Sequence, residues 1–191
     1  MKIKELMVFK KILSMVVLAG LFTGWLAGCV GVDPEGRGYS VAVPMAMINS
    51  TLAKQFPLKE ERSLGTLSIS DPNVLGQQGS NKLGVGTAFK FTNFLIPNGI
   101  GGNLQLSSGV RYDSNTKNLY LADPMVEELK FQDFSLSQYL TEDMKRSIGL
   151  IIAEVMAQKP IYNIQQKAGM GAGFVKGIDV RDGQVFLTFG L

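Results

Sequence analysis

Residues 137–158 read SQYLTEDMKRSIGLIIAEVMAQ and predict the longest helix of the chain. Apolar residues recur there at spacings of three and four, which is typical of an amphipathic helix. Ser135 and Gln138 have the spacing of a capping box at its start, and Pro160 ends it. At about 1.5 Å per residue the helix would be roughly 31 Å long, so its apolar face needs a wide sheet to cover it. That face consists of Leu140, Met144, Ile148, Ile151, Ile152 and Val155.

The residues before this helix predict that sheet. From about Leu64 to Phe134 the pattern changes to alternation, as in the stretch LGVGTAFKF at 83–91, where Phe89 and Phe91 fall on the apolar side. The turn formers DSNTKN at 113–118 mark a hairpin connection. Connections this short exclude crossover helices, so the strands are expected to pair antiparallel.

Shorter elements are predicted on both sides of this region. A strand at 39–43 (YSVAV) precedes Pro44 and a second, shorter helix whose apolar residues are Met45, Ile48, Leu52 and Phe56, ended by Pro57. A last hairpin runs from Val175 to Phe189 around the turn Arg181-Asp182-Gly183. The sequence therefore predicts a single α+β domain at 39–191, with an antiparallel sheet against one long C-terminal helix plus a shorter N-terminal helix.

The first 28 residues have the layout of an export signal. Four lysines precede the uncharged apolar run Ile12 to Phe22, and small residues follow. The run ends in Leu26-Ala27-Gly28-Cys29, which resembles the lipobox of bacterial lipoproteins. This predicts a signal peptide at 1–28, cleavage between Gly28 and Cys29, acylation of Cys29, and a tether over 29–38.

An uncleaved anchor is the alternative interpretation of this segment. Residues 12–32 carry no charge and are long enough to span a bilayer, although four glycines among them disfavour a permanent helix. Both interpretations place the domain outside the cytoplasm. Val30, rather than aspartate, follows Cys29, which by resemblance to the enterobacterial sorting rule implies the periplasmic face of the outer membrane.

Composition excludes several functions. The 191 residues include no histidine and one cysteine, so a Ser-His-Asp nucleophile, a His-liganded metal site and an internal disulfide are excluded. The formal charge of +3 belongs to the targeting segment, because residues 29–191 carry 15 basic and 15 acidic side chains. No basic cluster suggests a nucleic-acid partner.

Weaker motifs are explained by ordinary structure. The glycine clusters at 99–102 and 169–173 lack the spacing of a phosphate-binding loop. Asp113-x-Asn115-x-Lys117 has a lysine where a calcium ligand should stand, and the pairs Glu127-Glu128 and Glu142-Asp143 fit solvated surfaces. The sequence therefore predicts no catalytic residue, no metal and no cofactor.

Four segments resemble the YceB-like family of bacterial lipoproteins, whose biochemical role is undefined. They are YSVAVPMAMINSTLAKQF (39–56), NLYLADPMVEELKFQD (118–133), EVMAQKPIYNI (154–164) and FVKGIDVRDGQVFLTFG (174–190). That family is similar in fold to the tubular lipid-binding (TULIP) proteins. The resemblance implies a strongly curved antiparallel sheet that wraps the long helix and leaves an apolar groove.

The expected function is binding rather than catalysis. A lipid-anchored envelope protein would hold a phospholipid or acyl chain between helix and sheet, lined by the six apolar helix residues named above together with Phe89 and Phe91. The same apolar face would equally suit a plain core, which is the more frequent meaning of such a pattern. The alternative function is therefore a non-catalytic structural or interaction module with a dry core, whose protein partner is unknown.

Overall fold

A computed structural model describes residues 30–32, 36, 38–165 and 174–190. The predicted signal peptide, Cys29 and the glycine cluster at 169–173 lie outside these ranges. The strands are β1 (Val30–Val32), β2 (Tyr39–Val43), β3 (Leu58–Arg62), β4 (Gly65–Gly76), β5 (Leu83–Thr92), β6 (Ile100–Asp113), β7 (Asn118–Phe131), β8 (Pro160–Asn163), β9 (Val175–Arg181) and β10 (Gln184–Phe189). The helices are α1 (Met45–Ala53), α2 (Phe134–Ser137) and α3 (Glu142–Gln158).

The larger sheet is a strongly curled antiparallel half-barrel in the order β3-β4-β5-β6-β7-β8. Its curl has a local cause, because the register shifts between Ser70 and Asn73 in β4 and at two places along β6. Such bulges bend a strand and increase its twist. The prediction of a mixed α+β fold with a strongly curved antiparallel sheet is confirmed at this level.

The helices lie across the open side of the half-barrel. Asn49 on α1 exchanges two hydrogen bonds with the backbone of Val74 on β4, at 2.7 and 3.0 Å. The Arg62 guanidinium on β3 lies 4.0 Å from the Glu154 carboxylate on α3. The core therefore fills the space between the concave face and the helices. Its fully buried side chains include Ile48, Leu52, Ile69, Leu83, Leu104, Leu106, Leu119, Leu121, Ile148 and Ile152.

A second sheet, ordered β1-β2-β10-β9, contains both chain ends of the described structure. The predicted turn at 181–183 closes its β9–β10 hairpin, with positive φ at Asp182 and Gly183. A side chain at Gly183 would collide with the backbone of Gln77, so the turn packs directly on the β4–β5 connection. The predicted final hairpin is confirmed. Its alternating pattern alone does not predict that it belongs to a second sheet.

The predicted helix over 137–158 is wrong in its first part. Thr141 has an extended backbone, and its hydroxyl oxygen accepts a hydrogen bond from the Met144 N–H at 3.2 Å, so α3 begins at Glu142. The short α2 has its own cap, the Asp133 carboxylate, rather than the predicted Ser135–Gln138 box. Three strands follow α3, so one long C-terminal helix is not confirmed.

The first predicted helix is correct in place but shorter than expected. It ends at Ala53 instead of Phe56, with Lys54 as its C-cap. Ile48 and Leu52 are buried, whereas Met45 and Phe56 pack against the core edge. None of the described helices combines the length and apolar character needed to cross a bilayer.

Candidate functional site

The polypeptide reverses between β7 and α3, and this reversal shapes the candidate site. The Asp133 carboxylate accepts from the Leu136 N–H at 3.0 Å, and the Ser137 hydroxyl donates to the Phe134 carbonyl at 2.7 Å. These bonds hold α2 at the end of β7. Thr141 then starts α3, which runs back along β7 in the opposite direction. The first two turns of α3 thus face the last part of β7.

Helix α3 presents two neighbouring faces. One is buried in the core and contains Ile148, Ile152, Val155 and Met156. The other turns toward β7, with Glu142, Lys145, Arg146, Gly149 and Leu150 at the i, i+3, i+4, i+7, i+8 spacing of a single face. The second face is polar at its N-terminal end and apolar at its C-terminal end.

An open groove of about 460 Å³ lies between this second face and β7. We call it the α3–β7 groove. Its floor is close to the helix backbone because position 149 is glycine, where an added Cβ would lie 3.4 Å from Cγ2 of Val126. The groove is lined by Val126, Leu129, Phe131, Phe134, Ser137, Glu142, Lys145, Arg146, Gly149 and Leu150.

The apolar lining is unusually accessible to solvent. Phe134 is 77% exposed, Leu150 is 59% exposed and Val126 is 39% exposed. Single exposed apolar residues are ordinary on a protein surface, but several that share one concave site indicate a binding surface. The volume also lies within the range of about 300–1,000 Å³ that small-molecule sites occupy.

The charged end of the groove carries two cations and one carboxylate. The Lys145 ammonium lies 2.7 Å from a carboxylate oxygen of Glu142, and the Lys145 side chain is only 25% exposed. Arg146 makes a looser pair with Asp143 at 3.9 Å. The groove is therefore apolar along one part and carries paired charges of both signs at the other.

A second cavity, of about 500 Å³, lies between α1 and the bulge of β4. Its lining includes Asn49, Ser70, Asp71 and Asn73, and Asp71 has a positive φ. Most of these polar groups already have partners, since Asn49 bonds to Val74 and the Ser70 hydroxyl donates to Asp71 at 2.9 Å. The α3–β7 groove offers more apolar surface and is the stronger candidate.

The residues that the sequence predicted for a groove lie beside this one. Leu140, Ile148, Ile152, Val155, Phe89 and Phe91 are buried in the core, and Met144 and Ile151 pack against its edge. None of the eight lines the α3–β7 groove. Phe89 contacts the lining, because its ring packs edge-on against that of Phe131, with centroids 5.6 Å apart.

Sequence reasoning missed the residues that do line the groove. Leu150 was the available signal, since it is apolar yet falls outside the predicted apolar face. Gly149 was another, because a glycine inside a helix lowers its stability and often has a packing reason. Alternation did not place Val126 and Leu129 on the same side of β7. A bulge between them changes their spacing from two residues to three.

The remaining titratable groups explain local structure. The Asn115 N–H and the Thr116 hydroxyl lower the pKa of Asp113, as expected for the carboxylate that closes the β6–β7 turn. Burial raises the pKa of Tyr162 and, with the charge of Asp113, that of Tyr112. Among the described residues, no group of three or more acidic or cysteine side chains is placed to hold a metal ion.

Comparison with known proteins identifies the family. A family model described as a protein of unknown function, DUF1439, matches residues 45–184. The match covers most of the chain, including α1, the half-barrel and the β9 strand, so the chain belongs to this family. No curated protein is similar enough to count as a match.

Proposed function

We propose that this DUF1439 protein is a non-catalytic, lipid-anchored protein of the bacterial envelope that binds an acyl chain, free or as part of a phospholipid, in the α3–β7 groove. The observation that carries the proposal is an open groove with exposed apolar walls on a helix whose neighbouring face is fully buried. Resemblance to the YceB-like lipoproteins and to the tubular lipid-binding fold supports the same conclusion.

The energetics favour an apolar ligand. Burying apolar surface contributes about 25 cal/mol per Å² to the binding free energy. A ligand that covers the exposed parts of Phe134, Leu150 and Val126 is therefore stabilised in the groove. Because the Gly149 position carries no side chain, the groove-lining side chain of Val126 packs close to the helix backbone. Phe89 supports Phe131 from behind and keeps the wall in place.

Lipid anchoring forms the other part of the proposal. Cys29 follows the apolar run and the residues Leu26-Ala27-Gly28, and Val30 after it favours the outer membrane. Two or three acyl chains on Cys29 would hold the protein stably, because one chain alone binds a membrane only reversibly. Cells fed a clickable palmitate analogue should label the protein, and Cys29→Ser should abolish both the label and its recovery with membranes.

Ligand binding is tested on the full chain carrying Cys29→Ser, which removes the acyl chains of the anchor itself. Native mass spectrometry should detect a co-purifying lipid, and N-phenyl-1-naphthylamine, an uncharged apolar dye, should become fluorescent on uptake. Val126→Trp should fill the groove and reduce uptake several-fold. Met125→Trp is the matched control, because Met125 neighbours it on β7, is similarly exposed and does not line the groove. Absence of both lipid and dye uptake would contradict the proposal.

The β5–β6 loop favours a second candidate function, an interaction module with a dry core. The Asn93 side-chain oxygen accepts from the N–H groups of Leu95 and Ile96, at 3.0 and 2.9 Å, and Ile96 is buried. The loop thereby presents Phe94, which is 88% exposed. If this function is the correct one, Phe94→Ser should disrupt an envelope complex in cross-linking experiments, while Val126→Trp should leave it intact.

A further inference from the structure

The polar end of the α3–β7 groove suggests what kind of acyl ligand fits. Lys145 and Arg146 both line the groove; among the described residues its lining contains one carboxylate, Glu142, and Asp143 pairs with Arg146 from outside the lining. The lining therefore has an excess of one positive charge, located at the N-terminal end of α3. The opposite part, formed by Val126, Leu129 and Leu150, is apolar.

Lys145 is better placed than an ordinary surface lysine. Its side chain is 25% exposed, although its partner Glu142 is 83% exposed, so the alkyl stem lies along the groove and the ammonium remains at the rim. An ammonium has three donors, and the bond of 2.7 Å to Glu142 occupies one of them. The other donors can meet a ligand oxygen.

Arg146 adds a second cation beside the first. Its contact with Asp143 is 3.9 Å long and solvent-exposed on both sides, so it contributes little energy and is readily exchanged. A guanidinium can donate two parallel hydrogen bonds to a carboxylate. One cation fixed at the rim and one adjustable cation beside it are suited to an anionic head group.

We infer that the groove takes a single-chain amphiphile with an anionic head, of the long-chain carboxylate class. The chain lies along the apolar wall, and the carboxylate is held by Lys145 and Arg146. A volume of about 460 Å³, in the smaller half of the usual range, favours one chain over two. This inference rests on the proposed function, because it specifies the ligand of the same groove.

The test compares two ligands that differ only in the head. Dodecanoate and 1-dodecanol each displace N-phenyl-1-naphthylamine from the full chain carrying Cys29→Ser. Dodecanoate should bind about tenfold more tightly than the alcohol, as charge-assisted hydrogen bonds are roughly twice as strong as neutral ones. Lys145→Met, which keeps the stem, should remove most of that preference.

Two further variants separate this effect from a loss of structure. Glu142→Gln removes the competing carboxylate and should increase dodecanoate affinity several-fold, a gain that damage to the fold would not produce. Lys130→Met is the matched control, because Lys130 makes a similar ion pair with Glu128 at 2.9 Å on β7 but lies outside the groove lining. It should change neither affinity.

The outcomes distinguish the inference from the proposed function. Equal affinity for dodecanoate and dodecanol in the unsubstituted groove would overturn the inference and leave acyl-chain binding intact. A Lys145→Met variant that loses both ligands equally would also overturn it. If the dye itself is not taken up, acyl-chain binding fails, and the inference fails with it.

Discussion

The two neighbouring faces of α3 lie in different surroundings. On one face Ile148 and Ile152 are fully buried against the concave side of the half-barrel. On the other face, Gly149 and Leu150 border the open α3–β7 groove. The helix, its cap and its backbone are common to both, so the difference comes from side chains and from the strand opposite each face.

This difference shows how one helix can stabilise a fold and still offer a binding surface. The core face belongs to the buried cluster, which also contains Leu104 and Leu106 of β6. The groove face meets the bulged part of β7, where Val126 and Leu129 border the open groove. If this interpretation is correct, substitutions on the two faces should have separable effects.

The largest effect is expected on the core face. Ile152→Ala should lower the free energy of unfolding by about 2–5 kcal/mol, because it leaves a cavity in a fully buried position. Leu150→Ala on the groove face should cost well under half as much, since that side chain is 59% exposed. Urea denaturation of both variants measures the ratio. Equal losses would mean that the groove face is packed in solution.

A smaller effect of opposite sign is expected at Gly149. Gly149→Ala should stabilise the protein by roughly 0.5–1 kcal/mol, because alanine is the better helix former. The new Cβ would meet Val126 at 3.4 and 3.6 Å and Leu104 at 3.8 Å, which are ordinary contacts. Thermal unfolding measures the gain. Dye uptake should weaken modestly, because the added methyl group takes up space beside Val126 in the groove. A lower melting temperature would show that the floor has no room for a methyl group.

The smallest expected effect is on the pH dependence of stability, and it concerns the buried Tyr162. Burial raises the pKa of Tyr162 on β8, so the fold favours the neutral phenol. Its contribution to stability is fully present below the ordinary tyrosine pKa of about 10 and is lost as the pH rises above it. Tyr162→Phe should therefore reduce the slope of stability against pH above about pH 10. An unchanged slope would mean that water reaches this residue.

Local patterns predicted much of the fold. Alternation placed the β5 and β6 strands, turn formers placed the connection at 113–118, and the positive-φ turn at Asp182-Gly183 was evident from its residues. The start of α3 was recoverable in principle, because Thr141 followed by Glu142 and Asp143 is a strong helix start. Leu140, four residues before Met144, continues the helical spacing and obscures that signal.

The groove could not be predicted in the same way. It depends on bulges that shift the register of β7, on the absence of a side chain at Gly149, and on α2 placing Phe134 at the rim. Each of these depends on how one element packs on another, whereas periodicity describes one element at a time. The eight apolar residues named from the sequence were identified as a helix face and a strand face, and ligand contact at those residues stays a prediction.

The pairing of β1 with β2 has a consequence for how the domain would meet a membrane. Val30 lies opposite Val41, and Val32 lies opposite Tyr39. Nine extended residues would reach about 30 Å, but a segment folded back into a sheet spans almost none of that distance. With Cys29 acylated as proposed, the tether between the acyl chains and the domain would be short. The second sheet would rest beside the bilayer in one orientation, and the height of the groove above the lipid surface would be set by the fold.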